Sequence, residues 1–182
     1  YKNLISTTGP DGKITSYTYD EYGNMASVTD TAGNTTSYTY NEYGQVISIT
    51  DSAGNVTRYE YDSNGNQTAV IDSTGAKTQY QYDAKGNIIQ ITYTNGQKTQ
   101  MAYDQFNNMI SVTDPTGAVT RFTYDSSGNM LAQMDSAGNT TEYAYDSLNR
   151  LIKLIDSNGS ITTYTYDSKG NRTAITDSNL NI

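Results

Sequence analysis

Residues 33–45 read Gly-Asn-Thr-Thr-Ser-Tyr-Thr-Tyr-Asn-Glu-Tyr-Gly-Gln, and residues 159–171 read Gly-Ser-Ile-Thr-Thr-Tyr-Thr-Tyr-Asp-Ser-Lys-Gly-Asn. In both, one Thr and two Tyr alternate with other residues (Thr36, Tyr38, Tyr40; Thr162, Tyr164, Tyr166). That is the period of a β-strand, which puts alternate side chains on one face. An Asp or Asn follows the second Tyr, with Gly three positions on, the composition of a tight turn. The pattern is not confined to these stretches. The Tyr that opens the Tyr-Asp (once Tyr-Asn) step recurs at Tyr19, Tyr40, Tyr61, Tyr82, Tyr103, Tyr124, Tyr145 and Tyr166, always 21 residues apart. Self-similarity this regular is the signature of a repeat architecture.

The columns of the repeat show what is held constant. Fourteen of the 15 Asp fall in two of them, one represented by Asp20, Asp62 and Asp83 and the other by Asp30, Asp51 and Asp72. In the second column Gly9 and Tyr93 stand in place of Asp. Fourteen of the 15 Gly lie three residues after those columns, among them Gly23, Gly65 and Gly86, and Gly33, Gly54 and Gly75. Each unit therefore holds two Asp-x-x-Gly turns. The Asp carboxylate accepts backbone N–H bonds, and Gly accepts the positive φ of a bulged type I turn. Where Gly is missing, Asn107 and Asn149 replace it, and Asn is the next residue to tolerate that conformation.

Two strands lie between the turns. One carries the invariant Thr (Thr15, Thr36, Thr57, Thr78, Thr99, Thr120, Thr141, Thr162) and two Tyr columns. The first Tyr column is Tyr17, Tyr38, Tyr59, Tyr80, Tyr143 and Tyr164, with Met101 and Phe122 in its gaps. These replacements keep bulk and lose the hydroxyl, so packing decides that column. The other strand is apolar and β-branched, as in Val46-Ile47-Ser48-Ile49. It is apolar on both faces and does not fix which face is the more covered. Spacings between turns alternate between 10 and 11 residues, and an odd step flips the faces, so one bulge per unit is expected. The expected fold is all-β: an antiparallel β-hairpin strip of 21-residue repeats, curling into a shell, spiral or tube. With strands about 4.8 Å apart, like residues form columns about 9.6 Å apart, in which Tyr packs edge-to-face with its neighbours. Residues 1–182 then form one array of about eight and a half repeats, from Tyr1 inside a turn to Ile182 just past another, a piece of a longer protein.

Composition removes whole classes of chemistry. The chain has 182 residues, a length that ordinarily supports a domain with a core. It is 35% apolar and 16% charged, with mean hydropathy −0.68. With no Cys and no His there is no disulfide, thiolate nucleophile or imidazole base. A net charge of −8 disfavours nucleic acid and anionic membrane, and no apolar run approaches a membrane span. The paired Asp columns have the residue type of a glycosidase, but a catalytic pair is needed once and these recur seven times per column. Asp62-Ser63-Asn64-Gly65-Asn66 and Asp156-Ser157-Asn158-Gly159 begin like calcium loops, yet Ser73 and Asp167 stand where the bidentate Glu belongs. No catalytic residue, metal site or cofactor is expected. The Asn after the turn Gly (Asn24, Asn66, Asn87, Asn108, Asn129, Asn171) is expected to form an amide ladder.

The motif Gly-x-x-Thr-x-Tyr-x-Tyr-Asp-x-x-Gly-Asn resembles the YD repeat, also called the Rhs repeat, over essentially the whole chain. The family often has Arg after the second Gly; here Asn24, Gln45 and Arg150 occupy that position. The resemblance implies a hairpin strip wound into a hollow shell, as in Rhs and Tc toxins, wall-associated proteins and teneurins. It implies a secreted or cell-surface structural segment whose partners are the rest of its own array and an enclosed cargo domain. Two other readings come from the residues themselves. Unpaired terminal strands, with few Lys or Pro to blunt them, favour self-assembly with identical copies into a fibre or tube. Exposed Tyr among Asn, Gln and Asp favours a glycan- or receptor-binding adhesion module.

Overall fold

A computed structural model describes residues 3–178, and the end points at Tyr1 and Ile182 lie outside the described residues. Seventeen β-strands and no helix occur among them. The chain is all-β, and its paired strands are antiparallel hairpin partners. Six-residue strands such as Thr35–Tyr40 alternate with five-residue strands such as Val46–Thr50. Gly, recurring every ten or eleven residues with positive φ, keeps helices from forming and sets the hairpin length.

The strands fall into two compact units. The first contains the residues up to Tyr82 together with Ile91–Gly96. From Ser6–Thr8 to Lys77–Tyr82, each of its strands pairs with the next in sequence. The second contains Asp83–Gln90 and the residues from Gln97 onward. There the same succession runs from Lys98–Tyr103 to Arg172–Thr176.

Register explains how an odd repeat keeps its tyrosines on one face. Across the Asp30 turn the pairing is regular: Thr29↔Thr35, Val28↔Thr36, Ser27↔Ser37. Across the Asp20 turn Tyr19 pairs with Met25 but Thr18 pairs with Ser27, so Ala26 is an extra, bulged residue. The same shift follows Thr39, Glu60, Ala102, Thr123, Ala144 and Thr165. Without it each unit would turn its Tyr columns to the opposite face. At Thr173 the bulged hydroxyl bonds Thr165 at 2.8 Å, which puts that side chain on the face opposite the tyrosines.

Two expectations are corrected here. The length suggests a core, yet among the described residues only Ala69 is buried. Within each unit a strand packs only against the strands before and after it, so no second layer covers either face. Ala69 is covered because it sits between Glu60 and Gln79, with the Lys77–Glu60 ion pair (2.8 Å) spanning its strand. The second correction concerns the columns. Tyr residues of successive units are not direct neighbours, because one hairpin is two strands wide. Tyr17 faces Val28 and Val28 faces Thr36; Tyr38 faces Ile49 and Ile49 faces Thr57. An apolar residue therefore stands between Tyr17, Tyr38, Tyr59 or Tyr143 and the next Thr, and those Thr are half-buried through it.

Candidate functional site

The recurring polar constellation lies at the ends of the hairpins. In the Asp20 turn the backbone closes through Asp20 N–H to the Asn24 carbonyl (2.9 Å) and Gly23 N–H to the Asp20 carbonyl (3.1 Å). The Asp20 carboxylate accepts the N–H groups of Tyr22 (2.9 Å) and Asn24 (2.8 Å) and the Asn24 side-chain amide (3.0 Å). Asp62 and Asp83 repeat this set with Asn66 and Asn87. So do Asp30 and Asp51 in the other row, with Asn34 and Asn55. Asp72 has Ala76, not Asn, four residues on and takes the Thr74 hydroxyl at 2.6 Å. These bonds stabilise the charged carboxylate. The Asn24 amide, above all, holds Asp20 below the ordinary 3.8, and Asn34, Asn55, Asn66 and Asn87 do the same for Asp30, Asp51, Asp62 and Asp83. The Thr74 hydroxyl is the leading cause at Asp72.

Gly23, Gly33, Gly54, Gly65, Gly75 and Gly86 all have φ between 85° and 88°. Asn107 and Asn149 stand in the same region at φ 69° and 60°. Asn41 replaces the turn Asp and reverses one bond: its amide donates to Gln45 Oε1 at 2.9 Å. Gln45 then donates to the Gly65 carbonyl of the next turn (2.9 Å). The expected amide ladder is replaced by bonds to the next turn's backbone or to the Asn that stands in its Gly position. Asn87 reaches Asn107 (3.1 Å) and Asn129 reaches Asn149 (2.9 Å), while Lys85 bonds the Gln105 carbonyl (2.6 Å). Arg150 pairs with Asp146 (2.7 Å) and lies 4.6 Å over the Tyr166 ring.

The two Tyr columns do different work. First-column residues face apolar partners: Val28 for Tyr17, Ile49 for Tyr38, Val70 for Tyr59, Leu154 for Tyr143, Ile175 for Tyr164. Tyr80 holds the equivalent place on Lys77–Tyr82. In the second column the hydroxyl is used. Tyr40 donates to the Met25 carbonyl, Tyr61 to Val46 and Tyr82 to Gln67, each at 2.7 Å. Tyr19, Tyr103, Tyr124 and Tyr166 bond Leu4, Ile88, Met109 and Leu151 at 2.8–3.0 Å. Backbone pairing between Met25–Thr29 and Thr35–Tyr40 ends at Ser27↔Ser37, where the bulge turns the chain aside. The phenol satisfies the carbonyl beside that bulge and ties each unit to the one before it. Burial pushes the phenols of Tyr40, Tyr61, Tyr82, Tyr103, Tyr124 and Tyr145 above the ordinary 10.0. Sequence reasoning missed this bond. The signal was present: Met and Phe enter the first column and never the second.

Open grooves lie between successive turns of the Asp20 row. One of about 660 Å³ is lined by Asp20, Tyr22, Asn24, Tyr40 and Glu42. The next, about 290 Å³, is lined by Tyr43, Gln45, Asp62 and Asn64.

Bulged hairpins in 21-residue units, stapled by a phenol and closed by Asp-x-x-Gly turns, define a class of structural hairpin-repeat proteins. The teneurin YD-shell family model matches residues 49–181, and the chain belongs to that family. The RHS repeat model matches residues 2–35 and 23–55. No curated protein matches the chain. Its fold is similar to that of the TcdB2–TccC3–Cdc42 crystal structure: TM-score 0.77, 19% identity, 91% of this chain and 11% of that one. TcdB2–TccC3 gives 0.68 at 19% identity, covering 95% and 11%. The Tc holotoxin pore of Photorhabdus luminescens gives 0.56 at 17% identity, covering 92% and 12%. The chain thus spans 11–12% of the length of these neighbours, and the likeness is one of fold.

Proposed function

We propose that the chain is a non-catalytic segment of the wall of a YD shell, secreted or at the cell surface, that encloses a cargo segment. Residues 1–182 act as one array within a longer repeat protein, and their first partner is the rest of that array. The observation that carries this reading is the bond from second-column Tyr such as Tyr40, Tyr61 and Tyr82 to the carbonyl beside the preceding bulge. It converts a row of hairpins into a continuous sheet, and a wall needs that continuity. Family membership and the fold shared with Tc toxin structures support it. The turn carboxylates are engaged by their own turns, which fits a structural role for them.

The test is limited proteolysis of the full-length protein that carries the array. A downstream segment that resists protease with intact repeats, and is cleaved once Tyr61 and Tyr82 are changed to Phe, supports enclosure. A segment cleaved equally fast in both forms removes it.

A further inference from the structure

Half of the third positions in the Asp20-row turns carry a large apolar side chain: Tyr22, Tyr43, Phe106 and Leu148. The two phenols occupy successive turns and are 83% and 79% exposed, whereas no other described Tyr exceeds 38%. In register and one hairpin apart, they stand two strand spacings from each other, about 9.6 Å. Between them is open space. Tyr22 lines the groove of about 660 Å³ together with Glu42 and Gly44, the residues on either side of Tyr43. First-column tyrosines are spaced alike but cannot meet, because a whole strand, with Val28 or Ile49 on it, lies between one and the next. In the second column the hydroxyl is also held by a backbone carbonyl.

We propose that Tyr22 and Tyr43 form an oxidative cross-linking site, where a haem peroxidase and hydrogen peroxide join the two rings as dityrosine. Each phenol loses one electron and its hydroxyl proton. The peroxide takes up both electrons and both protons and leaves as two waters. The two phenoxyl radicals couple through ring carbons ortho to oxygen, and the two ring protons there move to the oxygens, which restores both phenols. The net change is two ring C–H bonds lost, one C–C bond formed and one peroxide reduced. Exposed side chains change rotamer within nanoseconds, so Tyr43 can lean back over the groove that Tyr22 already borders. A peroxidase oxidises the rings it can touch, and exposure selects these two. Each ring holds the other at an effective concentration far above that of a second chain, so the link forms within the molecule. It ties one hairpin to the next on the Asp20 row, beyond the point where backbone pairing between them ends. It also closes a loop of one repeat, which restricts the unfolded chain as a disulfide does. The proposal is independent of the shell reading.

The experiment treats the full chain with a haem peroxidase and hydrogen peroxide at two protein concentrations about tenfold apart. Dityrosine fluorescence and a mass loss of two hydrogen atoms are expected, with equal yield per chain at both concentrations and a monomer on a denaturing gel. Cleavage after Glu21 and Glu42 puts Tyr22 and Tyr43 on separate peptides, and mass spectrometry should find those two joined. Tyr22→Phe and Tyr43→Phe should each lower the yield by at least about tenfold, while Tyr143→Phe leaves it within about twofold. Phe106→Tyr supplies a third exposed phenol whose row neighbours at positions 85 and 127 are Lys and Ser, and it should gain no link. Circular dichroism checks that each variant keeps its sheet. Any of four results overturns the proposal: no dityrosine, a link between another pair of tyrosines, covalent dimers whose yield falls on dilution, or an undiminished yield in Tyr22→Phe.

Discussion

The two rows of turns have the same backbone and differ in what surrounds them. A Cβ added at Gly33, Gly54, Gly75, Gly96, Gly117, Gly138 or Gly159 would meet nothing within 4 Å. In the Asp20 row Gly86 and Gly170 are equally open, but Gly44 has Asn24 Oδ1 at 3.6 Å, Gly65 has Gln45 Nε2 at 3.3 Å, and Gly128 has Asn108 Oδ1 at 3.7 Å. The turn-to-turn bonds of Gln45, Lys85, Asn87 and Asn129 all belong to that row. So do the bulges and the phenols. An Asp-x-x-Gly turn closes a hairpin by itself, and the Asp30 row needs nothing more. Joining one hairpin to the next depends on the Asp20 row, where the bulge breaks the ladder and side chains repair it.

High pH should separate the rows most strongly, and low pH should not. Phenols whose folded pKa is raised, such as Tyr61 and Tyr82, leave stability intact below the ordinary 10.0 and remove it as pH rises through the folded value. Alkaline unfolding followed by circular dichroism should therefore begin above about pH 10 and be governed by the Asp20 row. Carboxylates with a lowered pKa, such as Asp51 and Asp62, contribute stability above 3.8 that is lost as pH falls below it. Acid should therefore loosen both rows together.

Next in size is Tyr61→Phe, which leaves the Val46 carbonyl without its donor. It should cost about 1–3 kcal/mol in urea denaturation, while Tyr59→Phe stays within about 0.5 kcal/mol. Gly54→Ala and Gly65→Ala both force a non-glycine residue to φ near 85°. Each should lose about 1–2 kcal/mol from that strain, and Gly65→Ala somewhat more because Gln45 must move. Asp51→Ala removes an acceptor from exposed bonds with Ala53 and Asn55 and should lower the midpoint of urea denaturation by less than Gly54→Ala does. The smallest effect is Phe122→Tyr, expected within about 0.5 kcal/mol in thermal melts because its column uses bulk. A loss from Tyr59→Phe equal to that from Tyr61→Phe would erase the distinction between the columns.

Much of this was legible in the residues. Gly23 and Gly33 mark turns because positive φ is costly for other residues, and Asn107 and Asn149 obey the same rule. The alternating 10- and 11-residue spacing announces one bulge per unit, since an even-period strand cannot absorb an odd repeat unaided. What spacing cannot say is which strand takes the extra residue. Ala26 and Ala32 look equally dispensable in the sequence. The partner of the Tyr40 hydroxyl was illegible for a related reason: the acceptor is a backbone carbonyl, and Met25 contributes that group whatever its side chain.

The sequence by itself determined the all-β repeat, its hairpin length and its turn chemistry. These depend on period-two patterning and on local φ preferences, which are properties of neighbours along the chain. Only the tertiary structure decided where the bulge falls, that Ala69 alone is buried among the described residues, and which tyrosines hold one unit to the next. Those outcomes depend on which backbone groups the ladder leaves unpaired, and that is known only once the strands lie side by side.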